Sequence, residues 1–134
     1  MDRAAFDDLV QQAFRRIPRR FRSRIENVAI VVENEPSKED LRTARVPAGH
    51  DLLGLYHGLP LPQRGWARYS SLPDRICIYQ GPIERAAHSE RELRTLVKDT
   101  LWHEIAHYFG LNEREVRQAE KRRNQPQRHR ENNP

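Results

Sequence analysis

The amino-acid sequence predicts an α+β fold, with amphipathic helices towards both ends of the chain and three short strands between them. Apolar residues recur at helical spacing from Ala5 to Ile17 and again from Leu93 to Phe109, which is typical of helices with one buried face. Three short apolar or alternating runs lie between these helices. The length of 134 residues suits a single domain.

Residues that interrupt regular structure bound each predicted element. Pro18 ends the first helix, and the polar segment 35–50 is predicted to be a loop or a short irregular helix. Closely spaced glycines and prolines predict a long surface loop over 57–71. The predicted strands are Val28–Val32, Leu52–Tyr56 and Arg75–Tyr79, and Gly81-Pro82 closes the third.

The strongest helix signal begins at Ser89. Ser89 followed by Glu92 is a capping-box pattern, and Gly110 stands where a glycine commonly follows the last turn of a helix. A shorter helix is predicted over 113–123. The domain is therefore expected to span residues 1–123, and residues 124–134 are expected to form a basic, disordered tail because they lack aliphatic and aromatic side chains.

Charge and cysteine content narrow the class of protein. The formal net charge is +5, and much of the excess lies in arginines between Arg15 and Arg24 and near the C-terminus. The single cysteine, Cys77, excludes an intramolecular disulfide and is expected to be buried and inert. The N-terminus lacks an apolar signal segment, and the longest apolar run is too short to cross a bilayer. We expect a cytoplasmic monomer without a membrane partner.

One motif carries chemistry: His103-Glu104-x-x-His107, at the end of the best-predicted helix. Histidines four residues apart lie on one helical face, about 5–6 Å apart at Cβ, so both can bind one zinc ion. Glu104 is rotated by about 100° from His103 and flanks the metal, where a general base is needed.

A catalytic zinc needs a third protein ligand. On a straight helix Glu113 would lie about 9 Å beyond His107 and on another face. If the helix stops at Gly110, which enters the left-handed conformation easily, the chain can turn and bring Glu113 to the metal. Glu115 and Glu120 are alternative third ligands, although an exposed helix face explains both.

The chain resembles the small bacterial zincin-like metallopeptidases. The resemblance covers roughly residues 5–115 and rests on the zinc motif together with Asp51–Pro60, Leu72–Tyr79 and Pro82–Glu84. It implies a minimal zincin fold, in which a small mixed β-sheet packs on the active-site helix and the N-terminal helix. It also implies His103, His107 and the acid at Glu113 as zinc ligands, with Glu104 catalytic. The family often has aspartate at 113 and histidine at 108, where this chain has Glu113 and Tyr108.

Further residues are candidates for roles around the metal. In zincins generally, an edge strand lines the cleft and pairs with an extended peptide, and Arg75–Tyr79 is the candidate here. Tyr79, His57 and Arg64 are candidate transition-state donors, and each is also explained as a packing or surface residue. Asp99, one turn before His103, is a candidate to orient a ligand.

Two functions remain open. The first is a zinc peptidase that hydrolyses peptide bonds in a peptide or protein substrate. The second is a non-catalytic module whose basic arms bind nucleic acid or a protein partner, with a structural or vestigial metal site. Glu104 favours the first, because a purely structural site needs no base. Only one aromatic residue, Phe21, interleaves with the arginines between Arg15 and Arg24, which disfavours nucleic acid. The motif does not identify the substrate or show whether the peptidase is latent. Two histidines and a carboxylate suit zinc, and they also suit iron, nickel or cobalt.

Overall fold

The computed structural model describes residues 1–25, 27–58 and 74–111, and four single residues beyond them, Arg114, Glu115, Gln118 and Lys121. Glu113, Arg64, most of the predicted 57–71 loop and the tail 124–134 lie outside the described residues, as does most of the predicted helix over 113–123. The elements in chain order are α1 (Arg3–Arg15), α2 (Arg19–Arg22), β1 (Val28–Glu33), α3 (Lys38–Thr43), β2 (Gly54–His57), β3 (Asp74–Tyr79), α4 (Gln80–Ala86) and α5 (Glu90–Tyr108).

The three strands form one mixed sheet in the order β1-β3-β2. β1 runs parallel to β3, with Val28 opposite Asp74, and β2 runs antiparallel to β3, with Gly54 opposite Ile78. This arrangement confirms the predicted α+β class with a small mixed sheet. It also corrects one expectation: β3 (Asp74–Tyr79) is the central strand and cannot offer a free edge to a peptide, because both its sides are already paired.

The hydrophobic core lies between one face of the sheet and the helices α1 and α5. Ile76 and Ile78 alternate along β3 towards this core, as expected for side chains two residues apart on a strand. The helices contribute Phe6, Val10 and Ala13 from α1 and Leu93, Val97, Leu101, Trp102 and Ile105 from α5. None of the helices in the described part of the chain is long and apolar enough to span a membrane.

Both ends of α5 follow the sequence signals. The Ser89 hydroxyl accepts a hydrogen bond of 3.1 Å from the Glu92 N–H, which satisfies one backbone donor of the first turn. At the other end Gly110 has φ of 78°, its N–H donates to His107 O, and the Leu111 N–H donates to Ala106 O. This paired pattern is a Schellman motif, and it turns the chain away from the helix axis directly after the two histidines.

Helix α4 was not predicted from the sequence. The pair Gly81-Pro82 predicts a break after β3, yet both residues lie in the first turn of α4. Proline is tolerated there because the N–H groups of a first helical turn have no partner within the helix. Segment 35–50, predicted to be a loop or short helix, contains α3, whose first turn is capped by Ser37 through a 3.0 Å bond from the Asp40 N–H.

Arg85 of α4 links the segment that follows β1 to the segment that leads into β2. Its guanidinium donates hydrogen bonds of 2.8 Å to both carboxylate oxygens of Glu35, and bonds of 2.9 and 3.1 Å to Asp51. Hydrogen bonding from Arg85 lowers the pKa of both carboxyl groups. The segment after β1 and the segment that leads into β2 are therefore tied to the same side chain.

Gly54 allows β2 to lie directly against α5. A Cβ placed on Gly54 would be 2.6 Å from Thr100 Cγ2 and 3.1 Å from the backbone oxygen of Cys77. Carbon atoms do not approach so closely, so only glycine permits this separation of strand and helix. The contact lies one turn before His103 and Glu104 on α5.

We expect Gly54→Ala to lower the free energy of unfolding by about 1–3 kcal/mol, because the added methyl overpacks the contact between β2 and α5. Denaturant unfolding of the variant and the wild type measures the loss. The matched double variant Gly54→Ala/Thr100→Ser removes the nearest clashing methyl and should recover part of it. A Gly54→Ala protein as stable as the wild type would contradict the close approach.

Candidate metal centre

The last two turns of α5 bring His103, Glu104 and His107 together. One potential ligand atom from each of the three residues lies within 4.8 Å of those of the other two. The imidazole rings of His103 and His107 have centroids 4.6 Å apart and an interplanar angle of 69°. Both histidines are half-buried, so their rings are held by the fold and still border solvent.

Glu104 is buried, with only 6% of its surface exposed. Its Oε1 accepts a hydrogen bond of 2.9 Å from the backbone N–H of Tyr56, in β2, and lies 3.4 Å from Nδ1 of His107. A buried carboxylate without partners would be strongly unfavourable. The N–H of β2 therefore stabilises Glu104 and aims its carboxylate into the site.

The donor set suits a first-row divalent metal such as zinc. Two imidazoles and a carboxylate are common zinc ligands, and catalytic zinc sites use three protein ligands with one open position. The two imidazoles converge with the carboxylate of Glu104 beside them, which leaves room for a third ligand and for Glu104 to act as a base rather than a ligand. The third ligand inferred from the sequence, Glu113, lies outside the described residues, while the alternative Glu115 is exposed and Glu120 is also outside them.

A cleft of about 330 Å³ opens beside His103, between α5 and β2 with the residues that precede it. Asp99 lines this cleft together with His103 and Glu104, which places it on the same side of α5 as the candidate site. The remaining lining residues are Leu52, Leu53, Gly54, Leu96 and Thr100. The cleft is therefore contiguous with His103 and Glu104.

Two candidate transition-state donors, Tyr79 and His57, lie on the face of the sheet that points away from α5. Tyr79 is fully buried, and its hydroxyl donates a 2.6 Å hydrogen bond to Asp40 of α3. Nε2 of His57 lies 3.4 Å from the same carboxylate. Both side chains alternate away from Gly54, which faces α5, so neither reaches the cleft. This corrects the expectation for Tyr79 and His57, and Arg64 lies outside the described residues.

Cys77 shares that opposite face and matches its predicted character. The residue is fully buried, and its Sγ lies 3.8 Å from Glu33 Oε1. Burial, reinforced by the nearby carboxylate, raises the pKa of the thiol to about 11. Thiolate is the reactive form, so Cys77 is an inert core residue at neutral pH.

Tyr56 and Gly54 also belong to the site, although no side-chain motif in the sequence marks them. Tyr56 contributes through its backbone, which leaves no signature in a side-chain motif. Gly54 did carry a signal: a glycine inside a predicted strand often marks close approach of another element. Both residues lie in the segment Asp51–Pro60, on which part of the family resemblance rests.

Comparison with known proteins agrees with this fold and motif. The family described as zincin-like metallopeptidase matches residues 25–123, so the chain belongs to that family. A solved structure of a conserved hypothetical protein from T. thermophilus has a similar fold, with a TM-score of 0.54 and 21% sequence identity. The likeness covers 81% of this chain and 94% of that chain. No curated protein matches the sequence significantly.

We expect the purified protein to bind about one zinc ion per chain, because a catalytic zinc site of this ligand type holds a single ion. His103→Ala should lose the zinc, whereas Glu113→Ala should weaken its binding if that residue is the third ligand. Metal analysis of dialysed protein gives the stoichiometry, and a competing chelator gives the affinity.

His88→Ala is the matched control for this measurement, because His88 lies before the start of α5 and outside the cluster. This variant should bind zinc as the wild type does. Undiminished zinc in His103→Ala would place the metal elsewhere in the chain.

Proposed function

We propose that this protein is a zinc-dependent metallopeptidase, in which His103, His107 and Glu113 hold the metal and Glu104 is the general base. The observation that carries the proposal is the convergence of His103, Glu104 and His107 on α5. Potential ligand atoms of the three side chains lie within 4.8 Å of one another. Membership of the zincin-like metallopeptidase family supports the same reaction class.

The geometry of the described residues supports these roles. Zinc, when bound, acts as a Lewis acid that polarises the scissile carbonyl and makes water more acidic at neutral pH. Glu104 takes the proton from the attacking water and passes it to the leaving amine. The Tyr56 N–H holds the Glu104 carboxylate in position before substrate arrives, so little reorganisation is needed for proton transfer.

The strand suited to pair with a peptide substrate is β2. Tyr79 N–H donates to Leu53 O, so by the alternation of an antiparallel pair Gly54 and Tyr56 point their backbone groups away from β3. No other described strand pairs with this outer edge, which borders the cleft and the metal-site residues. Because the Tyr56 N–H already donates to Glu104, an extended peptide that added to this edge would bond to the backbone groups of Gly54 and to the Tyr56 carbonyl, beside His103 and Glu104.

A second candidate function is suggested by a basic groove between α1 and α5. Arg16, Arg94 and Lys98 line this groove, which has a volume of about 170 Å³. Arg94 also pairs with Glu90, at 3.0 Å. Clustered cations favour binding of a polyanion such as nucleic acid, and such binding would weaken steeply as salt is added. A buried carboxylate in the metal cluster has no role in that function, so the peptidase proposal ranks first.

We expect Glu104→Gln to bind zinc normally and to lower peptidase activity by at least about 100-fold, the usual scale for loss of a general base. The glutamine oxygen can still accept from the Tyr56 N–H, so the fold is retained while the proton acceptor is lost. Hydrolysis of a quenched fluorescent peptide library, measured beside zinc content, provides the test.

Glu39→Gln makes the same chemical change at an exposed position on α3 and should leave the rate unaltered. A Glu104→Gln protein that cleaves peptides at the wild-type rate would rule out Glu104 as the base.

A further inference from the structure

The cleft beside the metal-site residues has a definite chemical character. Its apolar lining comes from Leu52 and Leu53, before β2, and from Leu96, on α5. Leu53 and Leu96 also pack against the hydrophobic core, whereas Leu52 is half-buried without belonging to that core. Leu52 therefore lies at the wall of a cavity, between the core and solvent. A side chain in such a position is available to bind an apolar group of a ligand.

Among the described residues that line the cleft, the two with ionisable carboxyl groups are acidic. Asp99 and Glu104 line it, and no lysine or arginine is found among the described residues around it. A negatively charged ligand group would meet two carboxylates and would lose its own hydration on entering. The cleft is therefore suited to uncharged apolar groups and opposes acidic ones.

The cleft extends along α5, from the candidate metal site at His103 towards Leu96. Leu96, Thr100 and His103 lie on one side of α5, and with a rise of about 1.5 Å per residue Leu96 is about 10 Å below His103 along the helix. Between these two residues Gly54 of β2 lies against Thr100 and flanks the cleft. A side chain attached next to a carbonyl at His103 would thus enter at the histidine end and extend towards Leu96.

We infer that this cavity is the specificity pocket of the site, and that it selects a large aliphatic or aromatic substrate side chain, such as leucine or phenylalanine, next to the scissile bond. The inference rests on the proposed peptidase function, since the selected side chain is defined by its place beside the scissile peptide bond. The pocket itself rests on Leu52, Leu53 and Leu96 and on the two carboxylates. Leu96 is the specificity-determining residue, since it forms the far apolar wall on a rigid helix.

The test uses amino-acid hydroxamates, which anchor to zinc and project one side chain, so that binding is measured without catalysis. Zinc-loaded wild-type protein should bind N-acetyl-leucine hydroxamate at least about ten-fold more tightly than N-acetyl-aspartate hydroxamate, the scale on which apolar pockets discriminate. In Leu96→Arg this ratio should fall by about ten-fold or more, because the new cation pairs with the aspartyl carboxylate. Calorimetry gives both affinities.

Leu41→Arg is the matched control: Leu41 is half-buried on α3, which contacts the opposite face of the sheet, and its variant should keep the wild-type ratio. Zinc content and thermal unfolding of both variants show whether the fold survives. If Leu96→Arg does not fold, Leu52→Arg replaces it, because Leu52 lines the pocket without belonging to the hydrophobic core. The same fall in the affinity ratio is expected.

Each outcome separates the pocket from the peptidase activity. A leucine preference that is lost in Leu96→Arg supports the pocket, even if no library peptide is cleaved and the proposed function fails. Equal affinities for the two hydroxamates, or a ratio unchanged in both Leu96→Arg and Leu52→Arg, would overturn the pocket even if peptides are cleaved. With an active enzyme, mass spectrometry of library products should show leucine and phenylalanine enriched beside the cleaved bond.

Discussion

The backbone N–H of Tyr56 donates a 2.9 Å hydrogen bond to the carboxylate of Glu104, and this contact joins the sheet edge to α5, the helix that carries the candidate metal site. It forms because Gly54 lets β2 approach α5 without a side chain between them. A strand further from the helix would leave the buried Glu104 carboxylate without its donor, at a cost of several kcal/mol for an unpaired buried charge. The geometry of the candidate site thus depends on one glycine and one backbone hydrogen bond.

The same contact explains why the sheet and the helix act as one unit in the proposed reaction. In that proposal β2 supplies the N–H that holds Glu104 and the outer edge that would receive a peptide, while α5 supplies the proposed base and two of the proposed metal ligands. Arg85, bonded to Glu35 and Asp51, fixes the segment that enters β2. The Schellman motif at Gly110 then redirects the chain immediately after His107, as required if the third ligand is to return to the metal.

Much of this architecture can be predicted from residues that are close together in the sequence. Features that depend on contacts between distant segments cannot be predicted in this way. The helix α5, its Ser89 cap and its end at Gly110 follow from residues within a turn of each other, as does the metal motif. Strand order depends on pairing between distant segments, so the central place of β3 and the remoteness of Tyr79 and His57 from the cleft were not encoded in any local pattern. The bond between Tyr56 and Glu104 spans 48 residues and involves a backbone atom, which a motif cannot record.

The measurement that tests the central claim most directly is an anomalous difference map, collected at the zinc absorption edge from crystals grown with zinc. We predict one strong peak bounded by the imidazole nitrogens of His103 and His107, at about 2.0–2.1 Å from each. The Glu104 carboxylate should lie beside the peak and remain bonded to the Tyr56 N–H. A peak elsewhere in the chain, or none between these two rings, would contradict the account.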